Sequence, residues 1–239
     1  MEIDLEGIVV VVGNYGSGKS EVTVNLAVHR LAAGVDVRVA DLDLVNPYFR
    51  SREVRDTLGQ MGIEVVIPPD RYFHADLPIL SPKVAGMIRQ PSQLTLLDVG
   101  GDKVGATVLS ALADPLRDQS VQMLQVVNPY RPYTDTIEGC LKIKEEIEYA
   151  SRLTVTGLVG NANLIDETTH DDIINGYEFV HQLSNESDLP LIFITAEKKF
   201  LDGINPDRFS CPVLPLHRQL VPPWRSAAIW DNGERPEAK

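Results

Sequence analysis

Cysteine is scarce: only Cys140 and Cys211 occur in 239 residues, with no C-x-x-C pair and no cysteine–histidine cluster. That count argues against a disulfide framework, a self-contained metal site and an iron–sulfur cluster. Positive charge is short as well. Lysine and arginine total 22 against 34 acids, a formal net charge of -12, so the mean field repels DNA phosphates and anionic headgroups. The expectation is no nucleic acid and no stable membrane association. No hydrophobic run approaches the roughly twenty residues of a membrane span, and Met1 to Glu6 carries three acids where a leader peptide carries positive charge. A cytoplasmic protein is expected. The five histidines are scattered, and His170 beside Asp171 and Asp172 reads as a solvated helix start.

What is present is a regular alternation. Short apolar runs at 8–12, 35–40, 63–67, 94–98, 121–127, 153–159, 190–195 and 213–216 are separated by stretches of helical spacing at 19–33, 51–61, 81–90, 103–117, 133–150 and 169–184. Strands apolar on both faces that alternate with helices predict an α/β, doubly wound, largely parallel sheet of about seven or eight strands, flanked by helices. One domain over residues 1–216 is expected, followed by a C-terminal extension, 217–239, that is partly mobile at its polar end. The four prolines of 68–82 forbid a central strand or a helix interior there and predict an exposed loop bearing Tyr72 and Phe73. The tripeptide NPY occurs twice, at 46–48 and 128–130, each time after an apolar run and shortly before an arginine, Arg50 or Arg131.

Three motifs carry chemistry. The segment GNYGSGKS, residues 13–20, lies between an apolar run and an amphipathic stretch. Its G-x-x-x-x-G-K-S spacing lets backbone N–H groups turn inward around phosphates, with Lys19 reaching the outer phosphates and Ser20 ligating magnesium. The nucleotide contacts therefore fall on Gly13, Asn14, Tyr15, Gly16, Ser17, Gly18, Lys19, Ser20 and, in the first helical turn, Glu21. Next, VADLDL ends an apolar run with Asp41 and Asp43, two apart and so on one face of a strand, where one can hold a metal-bound water and the other orient the attacking water. Third, LTLLDVGGD places Asp98 at a strand end as a second carboxylate for magnesium, with the N–H of Gly100 or Gly101 placed to meet the terminal phosphate.

Together these motifs resemble the MinD/ParA-like branch of the SIMIBI class of P-loop NTPases. The resemblance implies a parallel sheet flanked by helices, ATP/ADP with Mg2+ as cofactors, and a homodimer that forms around ATP. It places Lys19 and Ser20 on phosphate and metal, Asp43 on the water, and Asp41 and Asp98 around the metal, with Asn161 in GLVGNANL reading adenine. The sequence departs from the branch at Asn14, where many members carry a lysine that reaches across the dimer. Arg50, Arg52, Lys103 or Arg131 is the expected substitute; otherwise hydrolysis is slow and the nucleotide acts as a latch. The resemblance implies an ATPase that grips and releases a protein partner. An ATP-dependent small-molecule ligase of the dethiobiotin synthetase or cobyrinic acid synthase type, with Arg71, Tyr72, Tyr130 and Arg131 lining a substrate pocket, is the alternative. A binding module with little turnover is the third reading.

Overall fold

A computed structural model describes residues 1–43, 51–67, 82–101 and 103–219. Its strands are β1 (Gly7–Val12), β2 (Val37–Asp41), β3 (Glu64–Val66), β4 (Leu94–Asp98), β5 (Val121–Val127), β6 (Gly157–Gly160), β7 (Leu191–Glu197) and β8 (Val213–Leu216). The helices are α1 (Lys19–Ala32), α2 (Ser51–Met61), α3 (Pro82–Arg89), α4 (Lys103–Ala111), α5 (Ala113–Leu116), α6 (Ile137–Ser151) and α7 (His170–Ser187). The strands form one sheet in the order β3-β2-β4-β1-β5-β6-β7-β8, and every neighbouring pair is parallel. The doubly wound architecture expected from the alternation of apolar runs is the one observed.

Strand β1 shows why the sheet is covered on both sides. Val9 and Val11 pack with Val22, Leu26 and Leu58 from α1 and α2, while Ile8, Val10 and Val12 pack with Val84, Ile88, Val108 and Leu109 from α3 and α4. Successive side chains of a strand point to opposite faces, so a run of five apolar residues needs a hydrophobic layer on each. Helices α6 and α7 extend the second layer, with Ile137, Cys140, Val180 and Leu183 against Val127 and Leu158.

The three largest departures from the sequence expectation have local causes or bounds that can be named. The single helix expected over 103–117 is two, α4 and α5, because Pro115 has no N–H for a bond to the fourth residue back and its ring clashes with that carbonyl. Helix α6 starts at Ile137 rather than near 133, since Tyr133 takes a left-handed φ of 70° and Thr136 caps the helix by accepting from the Gly139 N–H. Strand β6 starts at Gly157, four residues later than the apolar run.

The chain leaves β1 toward β2 and leaves β5 toward β6, on opposite sides of the sheet. At such a switch point the loops beyond the carboxyl ends diverge and open a crevice. Past β8 the chain remains held against α1: the His217 N–H donates to Asn25 Oδ1 at 2.8 Å, and the Gln219 N–H donates to Glu21 Oε1 at 2.7 Å. The expected loop over 68–82 with Tyr72 and Phe73, the first NPY at 46–48, and Trp224 and Trp230 of the C-terminal extension lie outside the described residues, save Pro82 at the start of α3.

Candidate functional site

The loop 13–18 follows β1 into the crevice and ends where α1 begins. Gly18, in the left-handed region at φ 89°, stands at the N-cap of α1, and a Cβ there would run into the amide of Asn161. Only glycine combines that backbone conformation with that approach. Lys19 is buried and folds back, its Nζ donating to the Asn14 carbonyl at 3.0 Å. Asn14 in turn is engaged outward: its Nδ2 donates to the Pro132 carbonyl at 2.8 Å, and its Oδ1 accepts from the Tyr15 N–H.

Opposite the loop stand the acids. Asp41 and Asp98 are direct sheet neighbours at the carboxyl ends of β2 and β4, both buried. Asp41 Oδ1 accepts from the Asp43 N–H at 3.1 Å, and Asp43 lies against Gly100. Burial pushes the Asp98 carboxyl up to about 8, and Asp41 beside it adds to the rise; the Ser20 hydroxyl, hydrogen-bonded to it, and the Lys19 ammonium pull the other way. One Asp98 oxygen, Oδ1, is buried with no hydrogen-bond partner. Gly101 closes the ring, for a Cβ at that position would stand 2.6 Å from Lys19 Nζ and 2.8 Å from the Tyr15 nitrogen.

This donor set fits magnesium. Hard carboxylate and hydroxyl oxygens suit the ion, an orphaned buried carboxylate oxygen calls for a cation, and magnesium keeps waters and phosphate oxygens in the rest of its shell. Among the described residues no group of three or more His, Cys, Asp or Glu side chains makes a metal cage by itself. An ion held by one or two carboxylates, Ser20 and phosphates needs no such cage.

Beside the loop a cavity of about 220 Å³ opens toward β5–β8, lined by Gly16, Gly18, Arg131 and Asn161 among others. Asn161, 3% exposed, joins three elements: its Nδ2 donates to the Ser17 carbonyl and its Oδ1 accepts from the Thr195 hydroxyl, both at 2.6 Å. The carboxylates at the rim are held within the protein, Glu21 by Asn25 and the Gln219 N–H, Glu197 by Lys199 at 2.7 Å.

No family model matches the chain, nor does any curated protein. Solved structures do. Chloroplast FtsY from Physcomitrella patens superposes with a TM-score of 0.54 at 19% identity, covering 80% of this chain and 58% of that one. The cell division protein FtsY of Thermotoga maritima gives 0.55 at 19%, covering 82% and 65%. FlhF complexed with GTP/Mg(2+) gives 0.51 at 15%, covering 80% and 66%. The fold is shared with these FtsY and FlhF structures. The chain spans about three fifths of the length of the FtsY proteins it matches.

Within this fold the residues expected to act converge: Lys19, Ser20, Asp41, Asp43, Asp98 and Gly101 meet around the end of the loop, and Asn161 reaches its back. Tyr15 is 71% exposed. Glu21 holds the segment that follows β8. Of the four cations named as substitutes for the missing lysine, Arg50 and the side chains of Arg52 and Lys103 lie outside the described residues, whereas Arg131 is placed at the cavity. Thr195, Glu197 and Arg218 are also brought to the site and were not anticipated. Their position, Thr195 and Glu197 in the carboxyl-terminal part of β7 and Arg218 just past β8, is the available signal, since ligands of open α/β sheets bind at that end.

Proposed function

We propose that the chain is a magnesium-dependent ATPase of MinD/ParA-like character that works as a nucleotide-driven switch on a protein partner and pairs with a second copy when ATP is bound. The observation that carries this reading is the convergence of Lys19, Ser20, Asp98 and Gly101 on one point at the end of the glycine loop. Loop N–H groups and Lys19 hold the β- and γ-phosphates, and magnesium, when bound by Ser20 and Asp98 with Asp41 behind, draws charge off the terminal phosphate. Asp43 accepts a hydrogen bond from the attacking water and aims it. Loss of the terminal phosphate frees Lys19 and the Gly101 N–H together, which loosens the segments after β2 and β4.

Adenine is favoured over guanine by the cavity rim. Guanine is read by a carboxylate that accepts from its ring and exocyclic N–H groups, and both Glu21 and Glu197 are already engaged within the protein. Asn161 lines the same cavity, its amide held by Ser17 and Thr195. FlhF, a structural neighbour, is complexed with GTP/Mg(2+), so GTP is the competing ligand to test. A partner surface is supported by Tyr15 and Tyr133, 71% and 75% exposed, on two loops that the Asn14–Pro132 hydrogen bond joins at the mouth of the site.

Titration calorimetry with magnesium and ATP or GTP, on the wild type and on Lys19→Ala, tests the site. ATP heat in the wild type, weaker GTP heat and none in Lys19→Ala are expected. Absence of heat with either nucleotide overturns the reading, and tighter GTP overturns the base assignment. Gel filtration with a nonhydrolysable ATP analogue against ADP reads the pairing: an unchanged elution volume refutes it.

A further inference from the structure

One cation stands out beside the glycine loop. Arg131 sits in the turn after β5, across the switch-point crevice from the loop, and packs on its glycine edge: a Cβ built on Gly16 would lie 3.6 Å from Arg131 Nε and 3.9 Å from Cζ. Its Nε is buried without a hydrogen-bond partner. A buried guanidinium N–H without an acceptor is unfavourable, more so than a neutral donor, and the geometry asks for an anion to complete it. Arg218, the other cation on the cavity wall, is already paired with Asp166 at 2.7 Å. Among the described residues no carboxylate pairs with Arg131.

The turn that carries Arg131 is built to hold it still. Asn128 Oδ1 accepts from the Tyr130 N–H, the Thr134 hydroxyl donates to the Asn128 carbonyl, and the Tyr130 hydroxyl donates to the Asp172 carbonyl at 2.8 Å. The turn is also tied to the glycine loop by the Asn14 amide, one residue away at Pro132. Asn14 carries no charge itself. What it does in this chain is fix the arginine-bearing turn against the loop.

We propose that Arg131 is a catalytic arginine supplied in cis, whose guanidinium bonds the β- and γ-phosphate oxygens of the bound nucleoside triphosphate and neutralises charge in the transition state. This rests on the reading that the loop 13–20 binds a triphosphate. In the step, a water oxygen forms a bond to the γ-phosphorus while the bond to the β–γ bridging oxygen breaks. The electron pair goes to the β-phosphate of the departing diphosphate, and the water's proton leaves with the released phosphate. Negative charge grows on the bridging oxygen, where a fixed guanidinium needs no reorganisation to meet it.

The test uses the full chain as wild type, Arg131→Ala, Arg131→Lys and, as a remote control, Arg117→Ala. Three readouts apply: ADP affinity by calorimetry, single-turnover hydrolysis, and retention of ADP with aluminium fluoride as a transition-state mimic. Arg131→Ala is expected to keep ADP affinity within about threefold, lose about 10³-fold in turnover and fail to trap aluminium fluoride. Arg131→Lys recovers part of the rate, having charge but not the planar fork. Mixing Arg131→Ala with Lys19→Ala is expected to restore nothing, because the arginine serves its own chain. Equal turnover in Arg131→Ala, a parallel loss of ADP binding, recovery on mixing, or a wild type that binds ATP yet neither hydrolyses it nor traps the fluoride each overturns the proposal. If the wild type binds no nucleotide, it is the triphosphate reading itself that fails.

Discussion

Asp98→Asn should make the nucleotide-free protein more stable, and increasingly so as pH rises. The Asp98 carboxyl has an ordinary value of 3.8 and stands at about 8 in the fold, raised first by burial and then by Asp41. Between those values the folded chain holds a proton that the unfolded chain has released. A raised folded value means that stability is fully present below 3.8 and is lost as pH climbs through about 8. The slope is about 1.4 kcal/mol per pH unit, so between pH 5 and pH 7.5 the wild type loses about 3 kcal/mol that the asparagine variant keeps. At this chain length that corresponds to roughly 6–12 °C in Tm. The assay is a set of thermal melts of both proteins from pH 4.5 to 8.5 with EDTA present. The remaining carboxylates titrate in both proteins, so the difference isolates position 98. A gap that does not vary with pH, or a variant less stable at pH 7.5, refutes the argument. Adding magnesium and ATP should narrow the gap at pH 7.5: at a hundred times its dissociation constant a ligand stabilises the wild type by about 2.7 kcal/mol, and the variant, lacking the carboxylate, should gain little.

Asn161→Ala removes both 2.6 Å hydrogen bonds and leaves the Ser17 carbonyl and the Thr195 hydroxyl buried without partners, so urea unfolding should show a loss of about 2–4 kcal/mol together with weaker nucleotide binding. Gly101→Ala places a methyl 2.6 Å from Lys19 Nζ and 2.8 Å from the Tyr15 nitrogen; calorimetry should read at least about a tenfold loss of ATP affinity, or about 1.4 kcal/mol, with a cooperative unfolding transition retained. Thr169→Ala deletes the capping box of α7, in which Thr169 and Asp172 satisfy each other's backbone N–H groups; a loss of about 1 kcal/mol with unchanged ATP affinity should separate stability from the site.

Much of this site was legible because its chemistry is local in sequence. Asp41 and Asp98 end apolar runs, and the parallel register that makes them neighbours follows from the same alternation that predicts the sheet. Lys19 and Ser20 are fixed by the spacing of one octapeptide. What was not legible depends on long-range contacts. Asn161 reads as a residue after a strand, yet its amide is engaged on Ser17, 144 residues away, and Thr195 gains its role only as the acceptor's partner on the next strand. Asn14 was read for the charge it lacks, whereas its contribution is the hydrogen bond to Pro132, 118 residues away. Arg131 is one of four candidates that sequence spacing alone treats alike; its buried Nε against Gly16 follows from a contact across 115 residues that spacing does not carry.

The chain carries a net charge of -12, and the proposed site takes a polyanion. Global field and local site pull in opposite directions, and distance decides between them. Charges farther than about 8 Å are largely screened at physiological salt, so the surface acids slow encounter without setting affinity. Within that radius Asp41, Asp43 and Asp98 surround the end of the loop, and alone they oppose a terminal phosphate. Lys19, buried and bonded to the Asn14 carbonyl, supplies one compensating charge, and Asp98 held neutral at about 8 removes another opposing one. On the proposed reading a divalent ion would displace that proton and turn the same carboxylates into ligands. The site would then take the triphosphate as its magnesium complex rather than as the bare anion, which would make the ion a condition of recognition as well as of chemistry.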